Sequence, residues 1–236
     1  IFGFLFPLIF ILNNAISTYQ KIDLSNLFLL SKNTVLVALL TAISVIIFAF
    51  FIEFIRKISK GKAYGYINQL ISLGYALPGA VIGMGLILLF TKINSLFIEI
   101  SLIGSLFVLI YAYVIRFMAV GKSPISSSFE RHPETYDQTA KNLGAGTFKL
   151  FQKLHLPINK FALMVAFILT FIDVMKELPI TLILRPFNFE TFATSAYISA
   201  SEDLLEAAAV PSLFLILIAT IFIMFTSKYI LRENEK

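Results

Sequence analysis

Three charged residues and a proline interrupt an otherwise apolar segment in the C-terminal half of the chain. Asp173, Lys176 and Glu177 lie close together, and Pro179 follows them. Charged side chains inside a membrane span are costly, and they usually face the interior of a helix bundle or a water-filled cavity. Residues three and four positions apart share one side of a helix, so these three side chains are expected to lie together. The pattern predicts a wall or gate of a translocation path rather than direct substrate binding. A structural ion pair beside a proline kink is the alternative.

A second candidate site is the polar stretch of residues 134–157, which lies between long apolar segments. We expect two short amphipathic helices joined at Gly144, because glycine readily adopts the left-handed conformation that ends a helix. The second helix is expected to place Phe148, Phe151 and Leu154 on one side. A folded amphipathic unit between membrane spans is suited to docking a partner. The alternative is a solvated connection whose basic residues only fix the topology.

The composition predicts a polytopic α-helical membrane protein. Of the 236 residues, 58% are hydrophobic, and several apolar runs approach the roughly 20 residues that cross a bilayer core. The polar segments expected between spans include residues 17–33, 121–160 and 185–206. Six spans are predicted, at about residues 1–16, 35–52, 67–90, 100–120, from 161 onward, and 207–230. The first residue is Ile inside an apolar stretch, so we expect the chain to be part of a longer polypeptide.

The basic residues predict the orientation of these spans. Most of the 19 lysines and arginines fall in residues 56–62, 121–160 and the C-terminal tail, which six spans place on one side. By the positive-inside rule that side is cytoplasmic, as are both ends of this segment. This distribution explains the net charge of +5 without a nucleic-acid partner. We expect no cofactor and no metal site, because cysteine is absent, the two histidines lack metal-site spacing, and no Walker-type phosphate loop occurs.

The third predicted span contains residues suited to a hinge or to close packing. Pro78 predicts either a hinge or a kink fixed by packing, and Gly79 and Gly83 form a small-xxx-small pair that permits close helix contact. In the fourth span, Arg116 is expected to extend its side chain to the membrane interface.

The polar stretch carries a recognisable pattern. Gln138-Thr139-Ala140 is followed after three residues by Gly144 and after nine more by Leu154-His155-Leu156-Pro157. This pattern resembles the E-A-A, G, I-x-L-P loop of binding-protein-dependent ABC transporter permeases. It departs at Gln138 for Glu, Thr139 for Ala and Leu154 for Ile. The segments LGYALPGAVIGMG, YAYVIRFMAVG and KELPITLILRPFNFETFATSAY resemble the ferric iron branch of these permeases, and the chain resembles the second six-helix half of a fused permease.

This resemblance implies an all-α fold of six transmembrane helices with a cytoplasmic coupling loop at about residues 121–160. The implied function is that of the transmembrane permease of an ABC importer, a transport protein rather than an enzyme, in the bacterial inner membrane. The implied partners are a separate ATPase subunit at the cytoplasmic face, an extracytoplasmic solute-binding protein, a second six-helix half or second copy, and the lipid bilayer. The residues implied to contact the ATPase are Asp137, Gln138, Thr139, Ala140, Gly144, Leu156 and Pro157.

Ferric iron is the expected cargo, and thiamine, phosphonate and polyamine permeases are related alternatives. A gradient-driven secondary transporter that uses Asp173, Lys176 and Glu177 for ion coupling is a competing hypothesis. A membrane scaffold or sensor that does not transport is a third.

Overall fold

The computed structural model describes residues 2–18, 23–59, 63–96 and 102–234, and all of its regular structure is helical. A π-helical segment, Leu150–His155, joins α7 to α8 in one helical run. The helices are α1 Phe2–Thr18, α2 Leu24–Ser59, α3 Ala63–Ala76, α4 Gly79–Leu96, α5 Leu106–Arg131, α6 Glu134–Asn142, α7 Thr147–Lys149, α8 Leu156–Ile158, α9 Lys160–Met175, α10 Pro179–Leu184, α11 Phe192–Ser201 and α12 Leu205–Asn234.

Several of these helices have the length and composition of membrane spans. Among the described residues, three helices (α2, α5 and α12) are long and apolar enough to cross a membrane. The number rises to five if each of two bent helix pairs is counted as one span: Tyr64–Ala76 with Gly79–Ser95 turns by 110°, and Thr147–Ile158 with Lys160–Met175 turns by 69°. The shorter apolar helix α1 corresponds to the first predicted span. The predicted all-α polytopic membrane fold is confirmed.

Three boundaries differ from those predicted. The polar connection expected at residues 17–33 is mostly helical, because α2 already begins at Leu24. The fourth span continues as α5 to Arg131, well past the expected end of the span at residue 120. The segment 185–206 contains α11, whose start is stabilised by a capping box between Thr191 and Thr194.

The polar residues at the start of α2 explain the first of these differences. The buried Asn33 side chain donates a hydrogen bond to the Glu190 carbonyl at 2.9 Å. The Thr34 hydroxyl accepts one from the Phe192 backbone N–H at 3.0 Å. These side chains satisfy the backbone at the start of α11, so their polarity marks a contact between helices rather than a loop.

The core lies where α2, α5 and α9 pack together. Small residues on α2, including Ala38, Ala42 and Ala49, are completely buried there. Gly121 on α5 is required for this packing, because a Cβ at that position would lie 2.4 Å from a methyl carbon of Val45 on α2. Close approach of the backbones therefore gives a tightly packed three-helix centre.

Candidate functional site

The loop of residues 134–158, hereafter loop 134–158, follows α5 directly and begins with the polar helix α6. Glu134 and Asp137 occupy the first turn of α6 and Lys141 the last, which complements the helix dipole. The chain reverses at Gly144, which has a φ of +80°, the left-handed conformation expected from the sequence. The Ala145 N–H then donates to the Ala140 carbonyl at 2.9 Å, so the turn is closed by backbone hydrogen bonds.

A buried histidine connects α6 to the rest of the bundle. Nε2 of His155 lies 2.7 Å from Oδ1 of Asp137. The His155 ring is stacked on Phe129 of α5 at a centroid distance of 5.2 Å and meets Phe54 of α2 edge-on at 5.3 Å. Burial lowers the pKa of His155, although the Asp137 carboxylate acts in the opposite direction. The ring is therefore neutral at pH 7 and donates from Nε2 to the carboxylate.

The π-helical segment determines which aromatic residues of the loop face inward. Phe151 packs against Phe50, Phe51 and Phe54 of α2 with ring centroids 5.1–5.2 Å apart. Phe148, in contrast, is 69% exposed, so the expectation that Phe148, Phe151 and Leu154 share one side of the helix does not hold for Phe148. The extra residue in each π turn changes the direction of successive side chains, and an α-helical projection does not include this rotation.

The outer surface of loop 134–158 presents apolar side chains beside the turn. Leu143 is 84% exposed and Phe148 is 69% exposed. Of the residues expected to contact a partner, Gln138, Thr139, Gly144, Leu156 and Pro157 are exposed, whereas Asp137 and Ala140 are partly buried. Exposed apolar residues on an element that is itself firmly held are typical of a protein-binding surface.

The second candidate site is a break between α9 and α10. Asp173 and Lys176 form an ion pair at 2.7 Å, and α9 ends at Met175 between them. Because the helix ends there, Glu177 does not share a helical side with Asp173, and that part of the sequence interpretation is wrong. Pro179 occupies the first turn of α10, where its missing N–H has no helical acceptor to lose.

Glu177 is buried at this break and contacts two other elements. Its Oε1 accepts the backbone N–H of Ile180 at 3.2 Å, and its Oε2 lies 3.5 Å from Nε of Arg116 on α5. A Cβ at Gly79 would lie 2.6 Å from Oε1 of Glu177, and a Cβ at Gly83 would lie 3.1 Å from a methyl carbon of Ile183. The glycine face of α4 thus packs directly on α10.

Arg116 connects this break to the one at Pro78. Its Nη1 donates to the Leu77 carbonyl at 2.7 Å, at the end of α3. The guanidinium is held at the helix break, where the Leu77 carbonyl accepts its hydrogen bond and the buried carboxylate of Glu177 attracts it.

A buried charge cluster between α2, α3 and α5 was not predicted as a site. Glu53, which is completely buried, lies 2.9 Å from Nζ of Lys122 and accepts a hydrogen bond from Tyr64 at 2.6 Å. Lys122 also donates to Tyr64 and to Asn68, both at 2.7 Å. The available signal was Glu53 itself, a carboxylate three residues before the basic run that begins at Arg56. Nε of Arg56 lies 2.7 Å from Oε2 of Glu53, whereas Tyr64 and Lys122 belong to other helices.

Comparison with known proteins finds similarity to a bacterial permease. No protein-family model matches the chain. The chain is 28% identical over 164 residues to the Fe(3+)-transport system permease protein FbpB 2 of Haemophilus influenzae. That match covers 70% of this chain and 31% of the relative, so the chain spans about a third of the length of this curated protein.

Two solved structures share the architecture. A chain of a bacterial ABC transporter involved in the import of the acidic polysaccharide alginate superimposes with a TM-score of 0.73, at 11% identity, over 98% of this chain and 91% of its own. A chain of a bacterial alginate ABC transporter in complex with an alginate pentasaccharide-bound periplasmic protein gives 0.69 at 13% identity, over 94% and 87%. At this identity the similarity shows the fold alone, which is that of an ABC transporter permease.

Proposed function

We propose that the chain is the membrane-spanning permease of an ABC importer and that loop 134–158 receives a separate ATPase subunit. The supporting observation is that this loop is exposed on one side and held firmly on the other. It exposes Leu143 and Phe148, while the contact between Asp137 and His155 braces it against the bundle. A docking element that transmits force must be both accessible and stiff, and a short helix held in this way has both properties.

The proposed route of force runs through the His155 ring. Movement of α6 reaches His155 through the hydrogen bond that Nε2 of His155 donates to Asp137, and the ring is packed between Phe54 and Phe129. Those two residues belong to α2 and α5, the long helices of the core. Closure of ATPase subunits on loop 134–158 would therefore displace the core helices rather than bend a loose connection.

The break between α9 and α10 is proposed to border the translocation path. Asp173, Lys176, Glu177 and Pro179 form an interrupted segment in which each charged residue has a partner of opposite charge. Paired charges within a membrane segment are typical of a substrate or ion pathway, which supports the path-lining role. On this proposal, Glu177→Ala should reduce transport more than it reduces expression; the opposite result would indicate a purely structural ion pair.

The cargo proposed first is ferric iron, because the relative FbpB 2 belongs to an Fe(3+)-transport system. Thiamine, phosphonate and polyamine remain alternatives, and the structural neighbours are transporters of alginate. Further elements of the proposal are an extracytoplasmic solute-binding protein and a second six-helix half or second copy that completes the path. The bacterial inner membrane is the proposed location, with loop 134–158 and both ends of this segment in the cytoplasm, as the basic residues indicate.

Co-purification tests the proposal. The full-length permease would be purified together with its candidate ATPase, alone and with Gly144→Arg or Phe148→Asp. Both variants should insert in the membrane and lose the ATPase. Phe187→Asp is the matched control, because Phe187 is 94% exposed and lies between α10 and α11, away from the loop. A permease that purified without any ATPase and still moved solute along an ion gradient would contradict the proposal.

A further inference from the structure

Two helix breaks of this protein lie next to a proline, and the two breaks are adjacent. The first lies between α3 and α4 at Leu77 and Pro78, where the helix axis turns by 110°. The second lies between α9 and α10, just before Pro179. Helices α4 and α10 pack directly on each other, with Gly79 against Glu177 and Ile180 and with Gly83 against Ile183.

One residue of a third helix contacts both breaks. Nη1 of Arg116 on α5 donates to the Leu77 carbonyl at 2.7 Å, and Nε of the same guanidinium lies 3.5 Å from Oε2 of Glu177. The Leu77 carbonyl belongs to the last turn before the break, where helical acceptors lack their usual donors. The other carboxylate oxygen of Glu177 accepts the N–H of Ile180 at the start of α10. Arg116 therefore connects the end of α3 to the beginning of α10.

Separating Arg116 from Glu177 would be energetically unfavourable, because both side chains are largely buried. Glu177 is buried, and only about a fifth of the Arg116 side chain is exposed. Removing one member of a buried ion pair leaves an uncompensated charge, which is strongly unfavourable. A movement that separated the two breaks would have the same effect. It would leave Glu177 without its cation and the Leu77 carbonyl without its donor.

We infer that Arg116 is a positioning residue that makes the two helix breaks move as one unit when the path opens and closes. The inference rests on the proposed transport function, and it assigns to α5 a role beyond packing. Arginine suits this role because its planar fork presents several donors in fixed directions. A lysine ammonium at the same position cannot hold both contacts in that fixed geometry.

The test uses distance measurements between spin labels, and no cysteine of this chain has to be removed before site-specific labelling. Cysteines would replace Tyr75, in α3 before the first break, and Phe187, after α10; both side chains are well exposed. The labelled full-length permease should give one narrow distance distribution without nucleotide and a second one when the ATPase is trapped by vanadate. Arg116→Met should remove the narrow peak in the nucleotide-free state, and Arg116→Lys should restore it only in part.

Tyr113→Phe is the matched control. The Tyr113 hydroxyl hydrogen-bonds to Thr181, so this change weakens the same contact between α5 and α10 without removing a charge. It should leave the distribution narrow. Unchanged widths in Arg116→Met, or equal broadening in Tyr113→Phe, would overturn the inference. Arg116→Lys serves as the test if Arg116→Met does not fold. Because the nucleotide-free widths require no ATPase, they test this inference even if the proposed function is wrong.

Discussion

Nε2 of His155 lies 2.7 Å from Oδ1 of Asp137, and this contact joins the first helix of loop 134–158 to the π-helical segment eighteen residues later. It is the link between an exposed docking surface and the buried aromatic rings of α2 and α5. Because the pKa of His155 is lowered, its imidazole is neutral, and the contact with Asp137 is a hydrogen bond rather than an ion pair.

The first prediction distinguishes a hydrogen bond between His155 and Asp137 from an ion pair between them. Asp137→Ala leaves the buried Nε2 donor without an acceptor, which should cost about 1–3 kcal/mol of stability. Asp137→Asn keeps an acceptor oxygen and should remain close to the unmodified protein. Thermal unfolding in detergent or nanodiscs measures both variants. Equal losses for Asn and Ala would mean that the contact depends on the carboxylate charge.

The second prediction concerns pH. Because folding lowers the pKa of His155 below its ordinary value of 6.5, the unfolded chain binds more protons between the folded pKa and 6.5. Stability increases with pH wherever the unfolded state binds more protons, so this contribution should be present above pH 6.5 and be lost on acidification. Unfolding temperatures measured through this interval should fall as the pH is lowered. His155→Gln, which keeps an N–H donor but does not titrate, should show a weaker decrease; an unchanged slope would contradict the assignment.

The third prediction compares two glycines of the same turn. Gly144 has a φ of +80°, whereas Gly146 has a φ of −73°, and nothing lies within 4 Å of a Cβ at either position. Gly144→Ala should therefore destabilise the loop by about 1 kcal/mol through backbone strain alone. Gly146→Ala should cost less, because its negative φ suits alanine and only the N-cap preference for glycine is lost. Limited proteolysis of the loop reports the difference, and equal protection in both variants would show that the left-handed conformation is unimportant.

The sequence predicted the features that depend on local chemistry. Apolar runs indicated the helical membrane fold, and Gly144 indicated the turn between two short helices, because both signals lie within a few residues of the structure they determine. The inward direction of Phe151 and outward direction of Phe148 required knowledge of the π-helical segment. Nothing in six residues of ordinary composition distinguishes a π turn from an α turn.

Contacts between residues distant in the chain could not be predicted from the sequence. Arg116 looked like a residue at a membrane interface because its nearest sequence neighbours are apolar, while its partners Leu77 and Glu177 lie 39 and 61 positions away in the chain. The same is true of Asn33, whose acceptor is the Glu190 carbonyl. A single sequence shows that a polar group within an apolar helix needs a partner, but it does not show which of several candidates is brought close by the fold.

The last prediction concerns the buried pair formed by Glu53 and Lys122, 2.9 Å apart between α2 and α5. Glu53→Gln leaves Lys122 buried without its carboxylate and should cost about 3–5 kcal/mol. Lys122→Met should cost less, because Nε of Arg56 still lies 2.7 Å from Oε2 of Glu53. The double variant removes both charges and should be more stable than the sum of the two single losses predicts, as a double-mutant cycle of unfolding free energies would show. Tyr64 and Asn68 of α3 hydrogen-bond to this pair, so α3 should loosen in every one of these variants. Hydrogen exchange of α3 tests that consequence, and additive losses together with unchanged exchange would mean that the charges do not act as a pair.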